Sequence, residues 1–208
     1  VEKPGYSDSE RKVGESFDQF FKGCDKRIIV TTFASNVHRL QQIINAAHKY
    51  RRKVGITGRS MENVMRVAQE LGYITVPDGV IVDMNKINGL PKNKVVIITT
   101  GSQGENMSAL YRMAFNGHRQ VEIGAGDRVI ISASAIPGNE RTITKVIDEL
   151  FSKGAEVIYE RMSELHVSGH ACQEELKMMH ALVKPKFFIP VHGEHRHLCK
   201  HMALARSM

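Results

Sequence analysis

Tryptophan is absent, and Phe and Tyr bring the aromatic share to only 6%. Surfaces that read single-stranded bases stack them on aromatic faces, so contact with backbone and phosphate is expected rather than base readout. Cysteine is scarce as well: Cys24, Cys172 and Cys199 are widely spaced and form no Cys-x-x-Cys. That pattern points away from a disulfide framework or a thiolate zinc site and predicts reduced thiols. No apolar run approaches the roughly 20 residues that span a bilayer, and the opening Val1-Glu2-Lys3-Pro4-Gly5 has no secretory signal pattern. A cytoplasmic protein without membrane attachment is the expectation. Two phosphate-loop signatures are missing too. No loop ends in Gly-Lys-Ser/Thr, and no Gly-x-Gly-x-x-Gly follows a strand; Gly124-Ala125-Gly126 comes nearest but precedes one.

What is present is ordinary in bulk and uneven in detail. With 208 residues, 42% hydrophobic and 25% charged, the chain holds one sizeable core, or one domain plus a piece of another. The formal charge is +7, and residues 184–208 carry five Lys/Arg and four His against the single acid Glu194. Clustered cations gain affinity for polyanions by releasing counterions, so a nucleic-acid partner held through its phosphates fits the charge.

Ser7 and Glu10 have capping-box spacing and predict a first helix reaching about Gly23. Short β-branched runs then alternate with amphipathic segments. Strands are expected at residues 27–32, 53–57, 94–100, 127–132 and 155–159. Between them Val37, Leu40, Ile44 and Ala47 mark one helical face, residues 61–71 form a helix stopped by Gly72, and residues 107–114 and 139–151 form two more. Residues 73–91 are irregular and leave room for a further short strand. This rhythm means an α/β fold, a largely parallel sheet with helices on both faces.

The predicted strands run into loops of one chemistry: 31–36 with Asn36, 57–60 with Gly58 and Arg59, 99–105 with Gly101, Ser102, Gln103 and Gly104, and 132–138. In open parallel sheets ligands bind outside the carboxyl ends of strands, where helix N-termini offer free N–H groups to an anion. Ser, Asn and Gly also cap helices and make turns, and Arg59 has the alternative of a surface ion pair. Four such loops together favour phosphate.

Farther on, two histidine-bearing turns, Ser168-Gly169-His170-Ala171 and Pro190-Val191-His192-Gly193-Glu194, stand 22 residues apart between the histidines. A predicted helix over 173–183 and an apolar run over 186–189 separate them, so both turns are expected at one edge of a sheet. Either is a turn residue as readily as a metal or proton-transfer group unless other side chains converge on it. With Lys184-Pro185-Lys186-Phe187-Phe188-Ile189, these turns resemble the β-CASP branch of the metallo-β-lactamase nucleases, and within it the ribonuclease J family. Upstream, Glu2-Lys3-Pro4-Gly5, Phe33-Ala34-Ser35-Asn36, Gly58-Arg59-Ser60-Met61-Glu62, Gly101-Ser102-Gln103-Gly104-Glu105 and Ile136-Pro137-Gly138-Asn139 follow in the same order, so the resemblance covers nearly the whole chain.

The resemblance implies a Rossmann-like β-CASP domain inserted into a lactamase domain. Residues 1–10 and 163–208 would be lactamase segments and 11–162 the insertion; pattern alone describes one α/β domain. It implies a zinc-dependent ribonuclease, 5′-to-3′ exonuclease and endonuclease, using two zinc ions in RNA processing and decay. Carried over, Gly101, Ser102, Gln103, Ser168, Gly169 and His170 hold RNA phosphates, with Asn36 and Arg59 as softer candidates. His170 lies beside the scissile phosphate as the catalytic group, and His192 is a metal ligand. The family's His-x-His-x-Asp-His motif has no match here, since His195-Arg196-His197 is the only His-x-His and no Asp-His follows. The chain is therefore expected to begin mid-protein and to be inactive alone. A homo-oligomer is implied only for the full-length enzyme. The alternative is a stand-alone Rossmann-like module that binds RNA or a nucleotide phosphate without catalysis; a coding sequence starting near Val1 would leave that reading.

Overall fold

A computed structural model describes residues 1–159, 167 and 169–208. The chain divides into two compact units, one formed by Val1–Ser9 with Val167–Met208, the other by Glu10–His166.

The larger unit is a five-stranded sheet of β1 (Arg27–Thr31), β2 (Lys53–Thr57), β3 (Val95–Thr99), β4 (Asp127–Ile131) and β5 (Glu156–Ile158). The order is β2-β3-β1-β4-β5 and every pair is parallel. Around it run α1 (Arg11–Phe21), α2 (Val37–Lys49), α3 (Arg59–Glu70), the single turn α4 (Met84–Ile87), α5 (Ala109–Ala114) and α6 (Glu140–Ser152). Parallel strands buried on both faces read as unbroken β-branched runs, and β1 and β3 are buried at every position. Ile29, Ile97 and Val129 pack with Leu110 and Met113 of α5 and Val146 and Leu150 of α6. The alternate residues Ile28, Val30, Val96, Ile98 and Ile130 point to the opposite face and are equally buried.

This is the expected α/β class with a parallel sheet, and most boundaries fall within two residues of the pattern. The first helix differs. It starts at Arg11, and Glu10 makes no side-chain cap. The capping box does not form because both partners are engaged elsewhere: Ser7 donates its N–H and hydroxyl to Glu175, while the Glu10 carboxylate receives Arg39. Residues 73–91 supply α4 and one parallel bridge, Val54 with Ile81, on the outer edge of β2.

The smaller unit contains α7 (Gln173–Val183) and α8 (His195–Arg206), neither with a buried residue. The α7 N-terminus is anchored by N–H donation from Gln173 to the Lys3 carbonyl and from Glu174 to that of Gly5. Residues 186–189, the apolar run between the two histidine turns, form no strand, and Phe187 and Ile189 are 82% and 81% exposed. A β-branched or aromatic run becomes a strand only where a neighbour completes its ladder, and among the described residues none pairs with it.

Candidate functional site

The strand order reverses beside β1, so the loops leaving β1, β3 and β4 open on one edge of the sheet, the usual ligand crevice of such folds. Three buried side chains tie these loops together. Arg39, at the start of α2 and fully buried, donates from Nη1 to the Ser132 carbonyl at 2.8 Å and forms an ion pair with Glu10 at 2.8 Å. Thr32 Oγ1 donates to the same carbonyl at 3.2 Å. Gln103 reaches from the β3 loop to the β4 loop. Its Nε2 donates to the Ser134 carbonyl at 2.9 Å, and its Oε1 accepts from the Ile136 N–H at 2.8 Å and from Asn139 Nδ2 at 3.3 Å.

Two glycines permit the close approach. Gly101 has φ +113° and a β-carbon there would strike Ser108 and Leu110; Gly104 has φ +71° and a β-carbon would lie 2.8 Å from the Thr142 backbone. Both need a left-handed conformation that only glycine adopts readily. Between them Ser102 is only 3% exposed, and among the described residues its hydroxyl has no hydrogen-bond partner. The Gln103 amide, by contrast, is committed inside the chain.

The other nominated residues are placed as follows. Asn36 N-caps α2, its Oδ1 accepting from the Arg39 N–H at 3.1 Å. Arg59 is exposed at the first position of α3 and forms no ion pair among the described residues. Ser168 lies outside the described residues. Gly169 and His170 belong to the smaller unit, where the imidazoles of His170 and His192 stack with centroids 5.4 Å apart and planes 14° apart. His192 has φ +74°, a conformation that costs a β-carbon-bearing residue of order 1–3 kcal/mol. Glu194 then caps α8, its N–H donating to His197 Nδ1 at 3.0 Å.

Sequence reasoning missed Arg39 and His118. The sign for Arg39 was a cation beside Leu40, where the apolar face of α2 begins. His118 bridges to the end of β2: its Nε2 lies 3.2 Å from Thr57 Oγ1, and its Nδ1 accepts from the N–H groups of Gln120 at 3.3 Å and Val121 at 3.2 Å. Accepting at Nδ1 fixes the neutral tautomer with hydrogen on Nε2. Burial, reinforced by the nearby Arg112 cation, lowers its pKa below the ordinary 6.5.

A metal centre needs several convergent ligands. Among the described residues no three His, Cys, Asp or Glu side chains converge, and the stacked His170 and His192 face each other ring to ring. These residues do not by themselves hold a metal ion.

Fold and loop chemistry together define a Rossmann-like α/β protein carrying a second, helical unit. Residues 25–150 match the family described as "Ribonuclease J, beta-CASP domain" and residues 154–208 that described as "Zn-dependent metallo-hydrolase RNA specificity domain". The chain belongs to the ribonuclease J beta-CASP family. It is 49% identical over 205 residues to a Ribonuclease J of Helicobacter pylori, covering 99% of this chain and 30% of that protein. It is 47% identical over 208 residues to a Ribonuclease J of Thermus thermophilus, covering 100% and 36%. Ribonuclease J2 of Bacillus subtilis is 42% identical over 207 residues, covering 100% and 37%. The chain thus spans about a third of the length of these curated relatives.

Proposed function

We propose that this chain works within a zinc-dependent ribonuclease of the J type, a hydrolase in RNA processing and decay, and contributes RNA phosphate binding to it. The observation that carries the reading is the pairing of Ser102, a buried residue whose hydroxyl has no hydrogen-bond partner among the described residues, with two left-handed glycines at the carboxyl edge of a parallel sheet. Backbone N–H groups and a free hydroxyl suit an anion's oxygens. Gly101 and Ser102 contact phosphate in this reading, with Asn36 and Arg59 flanking them and Gln103 belonging to the same loop. Ser168, Gly169 and His170 hold the phosphate next to the bond that breaks. His170 acts there in proton transfer or transition-state binding.

The names of the relatives and the zinc dependence in the matched family description support the ribonuclease and its metal. The reading includes 5′-to-3′ exonuclease and endonuclease action, two zinc ions in the full-length protein with His192 as one ligand, a cytoplasmic location and a homo-oligomeric full-length enzyme. It assigns residues 1–10 and 163–208 to a lactamase domain and 11–162 to the inserted domain. No helix among the described residues is long and apolar enough to cross a membrane.

The test compares residues 1–208 with the full-length protein on one RNA oligonucleotide. The shorter chain should bind weakly, with affinity falling as salt rises, and should not cleave; the full-length protein should cleave, and a chelator should stop it. Chelator-sensitive cleavage by residues 1–208, or affinity indifferent to salt, contradicts the assignment.

A further inference from the structure

We infer that Gln103 is a positioning residue: its amide locks the β3 loop to the β4 turn, and this lock sets the phosphate-contacting groups of Gly101 and Ser102. The inference rests on the phosphate-binding reading of the β3 loop and adds a role that chain resemblance does not supply. Resemblance places Gln103 on the ligand, whereas the geometry engages both the nitrogen and the oxygen of its side-chain amide within the chain.

Gln103 is 4% exposed. Its Nε2 donates to the Ser134 carbonyl, and its Oε1 accepts both the Ile136 N–H and the Asn139 side chain. Its own N–H donates to Glu105 Oε2 at 3.2 Å. An amide stays neutral across the ordinary pH range while donating from its nitrogen and accepting at its oxygen in one plane, as the Ser134 carbonyl and the Ile136 N–H require. Both partners belong to backbone that no strand or helix ladder holds. On the far side Gly104 is pressed against the first turn of α6. The β3 loop is thus clamped at Gln103 and Gly104, directly after the residue whose hydroxyl is unpartnered. A shift of either clamp moves Ser102.

The experiment uses the full-length protein and a 2′-O-methyl RNA oligonucleotide, which binds without being cleaved. Affinity is measured against salt for wild type, Gln103→Met, Ser102→Ala and the double variant. Gln103→Met should weaken binding about tenfold, the worth of one lost charge-assisted contact, and leave the salt slope near that of wild type, because no cation is removed. The double variant should lose little more than either single one, because both act on one contact. Unchanged affinity in Gln103→Met, with losses confined to Ser102→Ala, would refute the positioning role and leave the phosphate reading standing. Additive losses would refute it too, since they mean that Gln103 has a contact of its own. Wild-type affinity in Ser102→Ala removes both ideas. Should Gln103→Met not fold, Gln103→Glu takes its place. The new carboxyl mimics the amide only when protonated, so affinity relative to wild type must recover as pH falls toward about 4, the ordinary carboxyl range; failure to recover rejects the inference.

Discussion

His170 and His192 lie ring on ring, 5.4 Å between centroids, although 22 residues and the whole of α7 separate them in sequence. The pairing brings the two histidine turns into one place, and His192 is held there in a left-handed backbone conformation. A shared location does not imply a shared role, and single substitutions separate the two. In the full-length protein His192→Ala should lose metal and activity together. His170→Ala should keep the metal and lose turnover by at least about a hundredfold, the lower range for a proton-transfer group. Metal content and RNA cleavage on the same preparations check this; a His192→Ala protein with its metal and rate intact removes His192 from the ligand set.

At the opposite edge of the sheet Arg27 binds Asp127 through two hydrogen bonds of 2.8 and 2.9 Å, with Asp127 fully buried and also accepting from the Gly124 N–H. Removing one partner of a buried pair leaves a charge without compensation, at a cost of about 3–5 kcal/mol. Asp127→Ala should therefore destabilise by that order in urea unfolding. The double replacement Arg27→Leu with Asp127→Leu should cost less than the single one. A double variant that loses the sum of both single losses would mean that the two side chains do not stabilise each other.

Much of this architecture is legible in the sequence because its signals are local. Runs such as Val95, Val96, Ile97 and Ile98 carry the parallel sheet in their own composition, and truncating Ile97, which is fully buried, should cost about 1–4 kcal/mol. The loops that follow the strands are legible for the same reason. What stays hidden depends on partners far away in the chain. Gln103 meets Ser134 and Ile136 at separations of 31 and 33 residues, and Arg39 meets Ser132 at 93, so no window of sequence shows their amide or guanidinium to be spent. The Ser7 to Glu10 spacing starts the first helix too early because it does not record that Glu175 and Arg39 compete for those two residues. Helix α8 escapes notice because its four-residue rhythm sits in a histidine-rich, polar stretch with no buried face.

The smaller unit shows apolar side chains to solvent. On α7 Met178, Met179, Leu182 and Val183 are exposed, followed by Phe187, Ile189 and Val191. Contiguous apolar surface of this kind drives association. Residues 1–208 on their own should self-associate and enhance the fluorescence of a hydrophobic dye, and Leu182→Glu should reduce both. Sedimentation at several concentrations reads the first effect; a monomer at all of them, with no dye signal, counts against it.

The last expectation concerns acid. His118 is neutral in the fold, its Nδ1 accepting two backbone N–H groups and its Nε2 facing Thr57. Its pKa is lowered by burial and then by Arg112, so the unfolded chain takes up the proton first as pH falls below about 6.5, the unperturbed value. In that window the unfolded state binds more protons than the folded one, and stability rises with pH. The contribution of His118 is therefore fully present above about 6.5 and is lost as pH drops from there toward the lowered folded value. Protonation also places an N–H at Nδ1 opposite two other donors, breaking contacts of about 0.5–1.5 kcal/mol each. Arg112 of α5 lies near it and is a cation throughout this range, so it opposes the proton at every pH. His118→Asn keeps an acceptor near Nδ1 but cannot titrate. Its melting temperature should fall less than that of wild type between about pH 7 and 5, the range in which an imidazole titrates, and parallel curves for the two proteins would exclude His118 as the source of the acid sensitivity.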